Sequence, residues 1–414
     1  MKKTLVVNGQ RLNLNKAGGA GRYCWQLYKQ LCDQNATGGF RGIDVFLENF
    51  QKVQALDAAQ PEQVKHFSDK VKYAVYRCCP PILLDQLQKI YQYVRGGEDS
   101  TPPVTFDADK ASALWAGGTP STLLHELTNY TMIDEIGRLS LSPKLTLAVT
   151  FLDIQDYFYP KYFTDSALLY RRLSYTFYKD RADFFFAISN FTKKTMVDRL
   201  NINPDKIKVT HLAADDLLIF EPSEEIVSWV KSFGRYWIYP AKAWKHKNHE
   251  FLLHSIGKRK DRLRRAGIKL LLTGGFSSDD NLRLINLICD NNLHDLVNIL
   301  GFVSDEQLQA LIRGAEYLVF PSLFEGFGMP ILEAMTLGCP VISSNAGSLP
   351  EVGGDAAMYF DPTHGDDFIA LIDSVLNESG IDREFLIQKG FENAKRFSWE
   401  KTYCETVEVY NELF

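Results

Sequence analysis

Two glutamates that flank a glycine-rich loop are the residues of this sequence whose types and spacing best suit chemistry. Glu325 precedes Gly326 and Gly328, and Glu333 falls in the first turn of a helix predicted to begin at Pro330. Carboxylates facing a phosphate would repel it, so we expect them to accept hydrogen bonds from neutral hydroxyls, such as those of a sugar ring and a ribose. The alternative is an ordinary strand–helix unit with solvated glutamates, because the helix dipole already favours an acid in a first turn.

A strand, a loop and a helix in direct succession position these glutamates. The apolar residues 317–321 predict a buried strand, and Pro330 suits the first helical position because its φ is fixed and its missing N–H has no role there. Gly338 ends the helix, and residues 339–343 predict the next strand. The first N–H groups of a helix have no partner within it, and the dipole is positive at that end. The loop therefore predicts a binding site for an anion.

A second strand-to-helix loop, in residues 241–249, carries two lysines five positions apart. Lys242 and Lys247 follow the predicted strand 236–241, and we expect their ammonium groups to bind a pyrophosphate as point charges. A solvated basic loop is the alternative and is the commoner case for such a composition. The anion site favours binding, because a cationic loop and a helix N-terminus in one α/β domain would together neutralise the diphosphate of a leaving nucleotide.

Length and composition limit the class of protein. The chain has 414 residues, is 45% hydrophobic and 23% charged, and carries a formal net charge of -5. The length predicts two domains, and the charge argues against bulk attraction to nucleic acid. Neither a signal-like segment nor an apolar run of transmembrane length is found, so we expect a cytoplasmic protein. The seven cysteines lack metal-ligand spacing, which predicts reduced, mostly buried thiols.

Alternating strand and helix patterns predict parallel sheets covered by helices on both faces. In the first half, a glycine loop that contains Gly19 separates a strand over 4–7 from a helix over 22–31. Such a loop allows a ligand to approach the backbone closely, although a plain tight turn is equally typical. Asp153 follows the strand predicted over 145–150, at the sheet edge where doubly wound folds bind ligands. Further strands are predicted over 122–126, 183–189, 207–212, 236–241, 268–273, 297–300, 317–321 and 340–343, and further helices over 192–200 and 399–413.

Residues 157–181 are rich in aromatic and basic side chains. One interpretation is a helix that contacts a membrane surface, because aromatic rings and cations suit that interface. The other is an amphipathic helix that faces the core and exposes a basic edge, and the pattern favours it. The first interpretation would bring the chain to a lipid-linked partner.

These motifs resemble the retaining glycosyltransferases of family 4, which have the GT-B fold. Residues 320–334 resemble the paired-glutamate motif of that family, and Lys242 and Lys247 fall where its members have an arginine and a lysine. The resemblance is continuous from about Leu145 to the end and patchy before that. Further matching segments are 18–22, 187–192, 340–344, 347–354, 360–362 and 397–399.

The resemblance implies an α/β GT-B fold, with two Rossmann-like, doubly wound parallel-sheet domains that face each other across a cleft. Residues 1–214 would form the acceptor domain and residues 215–395 the nucleotide-sugar donor domain. Residues 396–414 would form a helix that crosses back to the first domain. By the same resemblance, Glu333 binds ribose hydroxyls and Glu325 binds the donor sugar. The rest of the implied donor site consists of Lys242 and Lys247 at the diphosphate, the backbone amides of Phe327, Gly328 and Met329, and the loop at Gly19.

The implied activity is transfer of a sugar, with retention of configuration, from GDP-mannose or a UDP-sugar to a hydroxyl of a glycan or lipid-linked glycan. Glu325, Asp153 and Lys247 would act in catalysis, and no metal or other cofactor is expected because lysines and the helix dipole supply the positive charge. The setting would be bacterial surface polysaccharide or lipopolysaccharide synthesis, in the cytoplasm or at the inner face of the membrane. Alternatives are a catalytically silent donor-binding subunit of a glycan-assembly complex and another GT-B enzyme, such as a sugar-nucleotide epimerase.

Two residues depart from the family pattern. Leu152 stands where members often have a histidine before the aspartate, and leucine cannot donate a hydrogen bond to a sugar hydroxyl. His125 either takes over that contact or is a buried structural histidine. Lys242 in place of arginine keeps the positive charge and loses the planar fork.

Overall fold

The computed structural model describes residues 3–8, 26–27, 30, 43–48, 122–126, 146–217, 221–377 and 381–413. The predicted glycine loop with Gly19 lies outside these ranges. The chain divides into two compact units. The first comprises Met1–Thr150, Phe163–Phe184 and Tyr410–Phe414, and the second comprises Phe151–Tyr162 and Phe185–Val409. The predicted domain boundaries at 214 and 395 stay a prediction.

The first unit is built on parallel strands. Strands β1 (Lys3–Asn8), β2 (Ile43–Glu48), β3 (Thr122–Glu126) and β4 (Thr146–Phe151) lie in the order β2-β1-β3-β4. All three neighbouring pairs are parallel. The strands over 4–7, 122–126 and 145–150 were predicted, and β2 was missed.

Helix α1 (Asp165–Arg181) also belongs to the first unit. Its Tyr175 and Tyr178 are buried, which supports the core-facing interpretation; membrane contact stays a prediction. The prediction of one continuous helix over residues 157–181 was wrong. Residues Gln155–Tyr157 and Pro160–Tyr162 form 3₁₀ turns, since proline lacks the N–H that a helix interior needs. In the ranges that the structure describes, no helix is long and apolar enough to cross a membrane.

The second unit contains a strand pair and a larger sheet. Strands β5 (Phe184–Ala187) and β6 (Ile207–Val209) pair in parallel. The larger sheet has six strands, in the order β12-β11-β10-β7-β8-β9. Its strands are β7 (Arg235–Pro240), β8 (Ile268–Thr273), β9 (Val297–Gly301), β10 (Tyr317–Phe320), β11 (Val341–Ser344) and β12 (Ala357–Phe360), of which only β12 was not predicted.

Helices connect these strands, as the alternating pattern predicted. They are α2 (Asn190–Leu200), α3 (Glu224–Lys231), α4 (His249–Gly257), α5 (Lys260–Ala266), α6 (Ser278–Asp290), α7 (Asp305–Gly314), α8 (Met329–Thr336), α9 (Leu349–Gly353), α10 (Gly365–Leu376), α11 (Arg383–Ala394) and α12 (Trp399–Leu413). Every residue of β10 is buried. This is typical of a parallel strand covered on both faces, where the sequence is continuously apolar and does not alternate.

Three cysteines lie in the described ranges, and all three are free thiols. Cys339 is buried, and burial raises its pKa to about 12. Cys289 and Cys404 are exposed, so the prediction of mostly buried thiols was wrong for the described residues. The helices that carry these two cysteines have one solvated face, where a small side chain is readily accommodated.

Candidate active site

The two loops that carry the predicted site residues begin where the strand order of the larger sheet reverses. Strands β7 and β10 are neighbours, and the chain builds outward from β7 to β9 on one side and from β10 to β12 on the other. Doubly wound sheets bind ligands outside the carboxyl ends of their strands at such a switch point. Lys247 follows β7 and Glu325 follows β10, so the topology directs both residues to the same place.

Lys247 and Glu325 form an ion pair at this switch point. Lys247 Nζ lies 2.5 Å from Glu325 Oε1, and the two side chains are only 14% and 12% exposed. The N–H of Leu323 donates to the carbonyl oxygen of His246 at 2.7 Å, which joins the two loops close to the pair. Hydrogen bonds between charged groups strengthen as water is excluded. The arrangement is therefore a preformed pair of one cation and one anion.

Two residues that were not predicted to have a role hold the lysine loop, residues 241–249, in place. Asn248 has a φ of 62°, a left-handed conformation that asparagine tolerates. Its Nδ2 donates to the carbonyl oxygens of Pro321 and Pro362, each at 3.2 Å. Tyr239, fully buried in β7, donates its hydroxyl to the carbonyl oxygen of Lys247. Burial raises the pKa of Tyr239 well above its ordinary value, so the phenol remains a donor.

The glutamate loop, residues 321–328 between β10 and α8, is held by residues that follow β11. The N–H and Oγ of Ser348 donate to the carbonyl oxygen of Glu325 at 3.3 and 3.0 Å, and Ser348 Oγ lies 2.7 Å from the carbonyl oxygen of Phe327. Gly347 has a φ of 62°, and a Cβ there would lie 2.7 Å from the Glu325 carbonyl oxygen. Only glycine permits this approach.

Helix α8 begins at Met329, one residue earlier than predicted, with Pro330 in the second position. The physical reason is Gly328, whose φ of 105° turns the chain into the helix. Glu333 is consequently the fifth helical residue and lies in the second turn, so its placement in the first turn was wrong. Phe327, Gly328 and Met329 are buried at the positive end of α8, and their roles as amide donors, like that of Glu333 at a ribose, stay predictions.

Lys242 and Lys247 have different partners in this structure. Lys242 Nζ lies over the ring of Trp244, 5.1 Å from its centroid, whereas Lys247 is bound to Glu325. The Trp244 side chain is 55% exposed, and a cation–π contact at an exposed site contributes about 0.5 to 1 kcal/mol. Because this contact is weak, the Lys242 ammonium is free to move to a stronger anion. Its binding to a diphosphate stays a prediction.

Asp153 lies against the glutamate loop, as its position after a strand indicated. Its Oδ1 accepts the N–H of Gln155 at 3.0 Å. A Cβ on Gly326 would lie 3.1 Å from Asp153 Cβ and 2.2 Å from the carbonyl oxygen of Leu152. The Leu152 side chain itself is buried. The structure thus brings Asp153 to the loop of Glu325, and its catalytic role stays a prediction.

His246 contributes an imidazole that the sequence analysis did not select. It is buried, and burial lowers its pKa to about 3, with the positive charge of Lys247 lowering it further and the negative charge of Asp153 opposing the shift. The ring is therefore neutral at pH 7 and lies within the electrostatic reach of both residues. The feature of the sequence that could have indicated His246 was its position directly before Lys247.

His125 lies in the first unit. Of its two interpretations, a sugar-binding residue or a buried structural histidine, the structure supports the second. It is fully buried, with one ring nitrogen 2.5 Å from the hydroxyl of Tyr410 and the other 2.9 Å from Oγ1 of Thr150. Burial lowers its pKa to about 3, so the ring is neutral. It therefore does not take over the contact that a histidine at Leu152 would make.

The described ranges contain no preformed metal-binding site. There, no group of three or more His, Cys, Asp or Glu side chains is arranged to hold a metal ion. The switch point offers a largely buried ammonium bound to a carboxylate, a helix N-terminus and an exposed lysine. Such a set can bind a ligand that carries both a dianionic group and neutral hydroxyls.

Known proteins resemble the chain in sequence. The profile of the family described as Glycosyl transferases group 1 matches residues 231–393, which include both lysines and both glutamates. The Escherichia coli protein named O-antigen chain mannosyltransferase B is 32% identical over 281 residues, which are 66% of this chain and 72% of that relative. The Mycolicibacterium hassiacum protein named MMP alpha-(1->4)-mannosyltransferase is 29% identical over 231 residues, 54% of this chain and 52% of that relative.

Known structures resemble the chain in fold. The crystal structure of Anabaena HepE in complex with UDP-glucose superposes with a TM-score of 0.67 at 17% sequence identity, and the match covers 99% of each chain. At this identity the likeness shows the fold alone. Together with the parallel sheets described above, it confirms the predicted α/β fold class.

Proposed function

The chain belongs to the family of group 1 glycosyl transferases, and from this premise we propose that it transfers a sugar from a nucleoside-diphosphate-sugar to a hydroxyl of a glycan, with retention of anomeric configuration. A nucleoside-diphosphate-sugar places an anionic diphosphate directly beside a neutral, hydroxyl-bearing ring. The proposed donor therefore needs a cation and a hydroxyl acceptor side by side.

The Lys247–Glu325 pair is the observation that carries this proposal. The two charged atoms are 2.5 Å apart, so a donor whose diphosphate and sugar hydroxyls are adjacent can reach both. In the proposed complex the ammonium of Lys247 turns to the diphosphate, together with Lys242 and the N–H groups at the start of α8. The carboxylate of Glu325 accepts hydrogen bonds from the sugar hydroxyls.

The proposed reaction is a displacement on one face of the sugar. The acceptor hydroxyl oxygen bonds to the anomeric carbon while the bond from that carbon to the diphosphate oxygen breaks. The hydroxyl proton passes to the leaving diphosphate, and the configuration is retained because the new bond forms on the face that the diphosphate leaves. Lys242 and Lys247 stabilise the growing negative charge. Glu325 orients the donor sugar and is not a nucleophile, and Asp153 contacts the donor sugar or the acceptor.

Mannose is the sugar we propose first, with GDP-mannose as the donor and a UDP-sugar as the second choice. Both relatives described above are named mannosyltransferases, and one of them is named for the O-antigen chain. By extension, the acceptor would be a glycan or lipid-linked glycan of a bacterial surface polysaccharide. The reaction would take place in the cytoplasm or at the inner face of the membrane.

A ligand screen followed by a transfer assay tests this function. Thermal shifts with UDP-, GDP-, ADP- and dTDP-sugars should single out one nucleotide, because a ligand at about 100 times its Kd stabilises a protein by about 2.7 kcal/mol. With that donor and an alkyl mannoside acceptor, we expect release of the nucleoside diphosphate and formation of a retained glycosidic bond. Binding without release would indicate a silent donor-binding subunit, and an isomerised free sugar nucleotide would indicate an epimerase.

The same assay tests the proposal that no metal or other cofactor takes part. Two lysines and a helix N-terminus can supply the positive charge at the diphosphate. Addition of EDTA should therefore leave the rate of transfer unchanged, whereas strict dependence on Mn²⁺ or Mg²⁺ would contradict this part of the proposal.

A further inference from the structure

Glu351, in the short helix α9, accepts hydrogen bonds from the start of helix α2 and from His211, which lies in the loop after β6. Its Oε1 accepts the backbone N–H of Asn190 at 2.7 Å, the Asn190 Nδ2 at 2.9 Å and the His211 Nε2 at 2.7 Å. Its Oε2 accepts the N–H of Phe191 at 3.0 Å. Burial alone would raise the pKa of Glu351, but these hydrogen bonds outweigh burial and the pKa is lowered. The carboxylate is thus ionised and bound to the N-terminus of α2, where the helix dipole also favours it.

The same turn of α2 also binds the glutamate loop. Ser189 Oγ lies 2.7 Å and Thr192 Oγ1 lies 3.2 Å from the carbonyl oxygen of Gly326, and both hydroxyls donate to it. Both side chains are almost completely buried. Gly326 is fixed from the other side as well, because a Cβ there would collide with the carbonyl oxygen of Leu152. The residue next to Glu325 therefore takes its position from the first turn of α2.

A second path connects Glu351 to the same loop through His211. The His211 ring lies 6.2 Å from the Phe327 ring and 5.5 Å from the Phe397 ring, measured between centroids. Phe327 is the next residue but one after Glu325 and is buried. Helix α2 already has Ser189 as its N-cap, so capping alone does not account for a carboxylate that also binds a histidine packed on the loop.

We infer that Glu351 is a positioning residue for the loop of Glu325. It fixes the first turn of α2 and the ring of His211, and these in turn hold Gly326 and Phe327, the two residues that directly follow Glu325. The inference rests on the proposed function in one respect, since Glu325 acquires its role at the donor sugar there. The mechanical coupling between Glu351 and the loop does not depend on which sugar is transferred.

Hydrogen exchange measured by mass spectrometry tests the coupling without any substrate. Glu351→Gln keeps the shape of the side chain but replaces an acceptor oxygen with a donor that faces other donors. We expect the amides of residues 323–328 to exchange at least about tenfold faster in this variant, because local opening becomes easier. Asp355→Asn is the matched control: Asp355 lies two residues past α9, its side chain is 82% exposed and it pairs with Lys389. That control should leave exchange in the loop unchanged.

The exchange pattern separates positioning from simple capping. If exchange rises only in residues 189–192 and 349–353 while 323–328 stay protected, Glu351 merely caps α2 and the inference is overturned. His211→Phe provides a second variant should Glu351→Gln fold poorly. It keeps a ring against Phe327 and Phe397 but removes the donor to Glu351, and it should speed exchange in the loop by a smaller factor. Wild-type protection of the loop in this variant would also overturn the inference.

Kinetics with GDP-mannose and an alkyl mannoside add a functional readout. Misplacement of a reacting group by about 1 Å can lower a rate about 100-fold, so Glu351→Gln should lower kcat by that order while KM for GDP-mannose stays within about twofold. A merely structural role would reduce the folded fraction and leave kcat per folded molecule unchanged. If the wild type transfers no mannose, the proposed substrate fails, and the exchange experiment still decides the inference.

Discussion

The Lys247–Glu325 ion pair joins residues 78 positions apart in sequence. Both side chains are largely removed from water, so each charge depends on the other for compensation. Removing one partner from such a pair leaves an uncompensated charge, which is far more costly than breaking an exposed pair. In the proposed complex this dependence is useful, because a donor that supplies both a diphosphate and hydroxyls satisfies the two charges at once.

Replacement of Glu325 separates its proposed role at the sugar from nucleotide binding. Glu325→Ala should abolish transfer, since the donor sugar loses its hydrogen-bond acceptor, while the Kd for the nucleoside diphosphate stays similar or falls because Lys247 is released from its partner. Calorimetric titration of the diphosphate alongside the transfer assay would measure both. A variant with wild-type kcat would rule out the role assigned to Glu325.

The chain offers a matched control on the same two strands. Glu316 lies directly before β10 and pairs with Arg235 at the start of β7, also at 2.5 Å. This pair sits at the amino ends of the strands, whereas Lys247–Glu325 follows their carboxyl ends. The Arg235 side chain is 56% exposed, so loss of Glu316 should cost about 1 kcal/mol of stability or less and leave transfer unchanged.

At the scale of elements, the glutamate loop is shaped by glycines for different reasons. Gly328 and Gly347 adopt positive φ, which L-residues with side chains rarely do. Gly326 has no such requirement, but the carbonyl oxygen of Leu152 occupies the space a Cβ would take. The sequence pattern predicts Gly326 and Gly328 as loop formers. Only the contact with Leu152 reveals that Gly326 also sets the distance between the loop and Asp153.

Gly326→Ala should displace the glutamate loop. A Cβ 2.2 Å from the Leu152 carbonyl oxygen forces the loop away, which we expect to destabilise the protein by about 1 to 3 kcal/mol and to lower kcat about 100-fold. Urea unfolding and the transfer assay would measure the two effects. Gly365→Ala, where nothing lies within 4 Å of the added Cβ, is the control and should match the wild type. Equal behaviour of the two variants would show that the contact has no consequence.

At the scale of the whole molecule, three histidines that are buried within the described ranges predict sensitivity to mild acid. Burial lowers the pKa of His125, His246 and His249 from 6.5 to about 3 in each case. Between these values the unfolded chain binds protons that the folded chain does not. The stability present above pH 6.5 is therefore lost as the pH falls, by up to about 1.4 kcal/mol per pH unit for each histidine.

The variant His249→Phe tests the predicted loss of stability in mild acid at one of the three histidines. The His249 ring is buried and lies 4.7 Å from the Tyr239 ring, measured between centroids, so phenylalanine should pack there. Denaturant midpoints between pH 7 and 5 should fall less steeply in this variant than in the wild type. His364→Gln, at a site where the side chain is 71% exposed, should keep the wild-type slope. A His249→Phe curve parallel to the wild type would contradict the prediction.

The sequence by itself determined the α/β class, most strands of the larger sheet and the loops that carry Lys247 and Glu325. These features follow from local patterns: continuous apolar runs mark strands covered on both faces, and glycines and prolines mark their ends. Residues placed directly after such strands reach a common sheet edge whatever the details of packing. Asp153 was located for the same reason.

Only the tertiary structure decided how these residues are held and which of them meet. Lys242 contacts Trp244 whereas Lys247 pairs with Glu325, and Glu333 falls one residue further into its helix. Tyr239 and Asn248 support the lysine loop. Glu351 reaches the first turn of α2, which lies some 160 residues earlier in the chain. Such contacts depend on burial and on which elements pack together over long sequence separations. No local pattern encodes them, because the same residue types would be solvated if the chain packed differently.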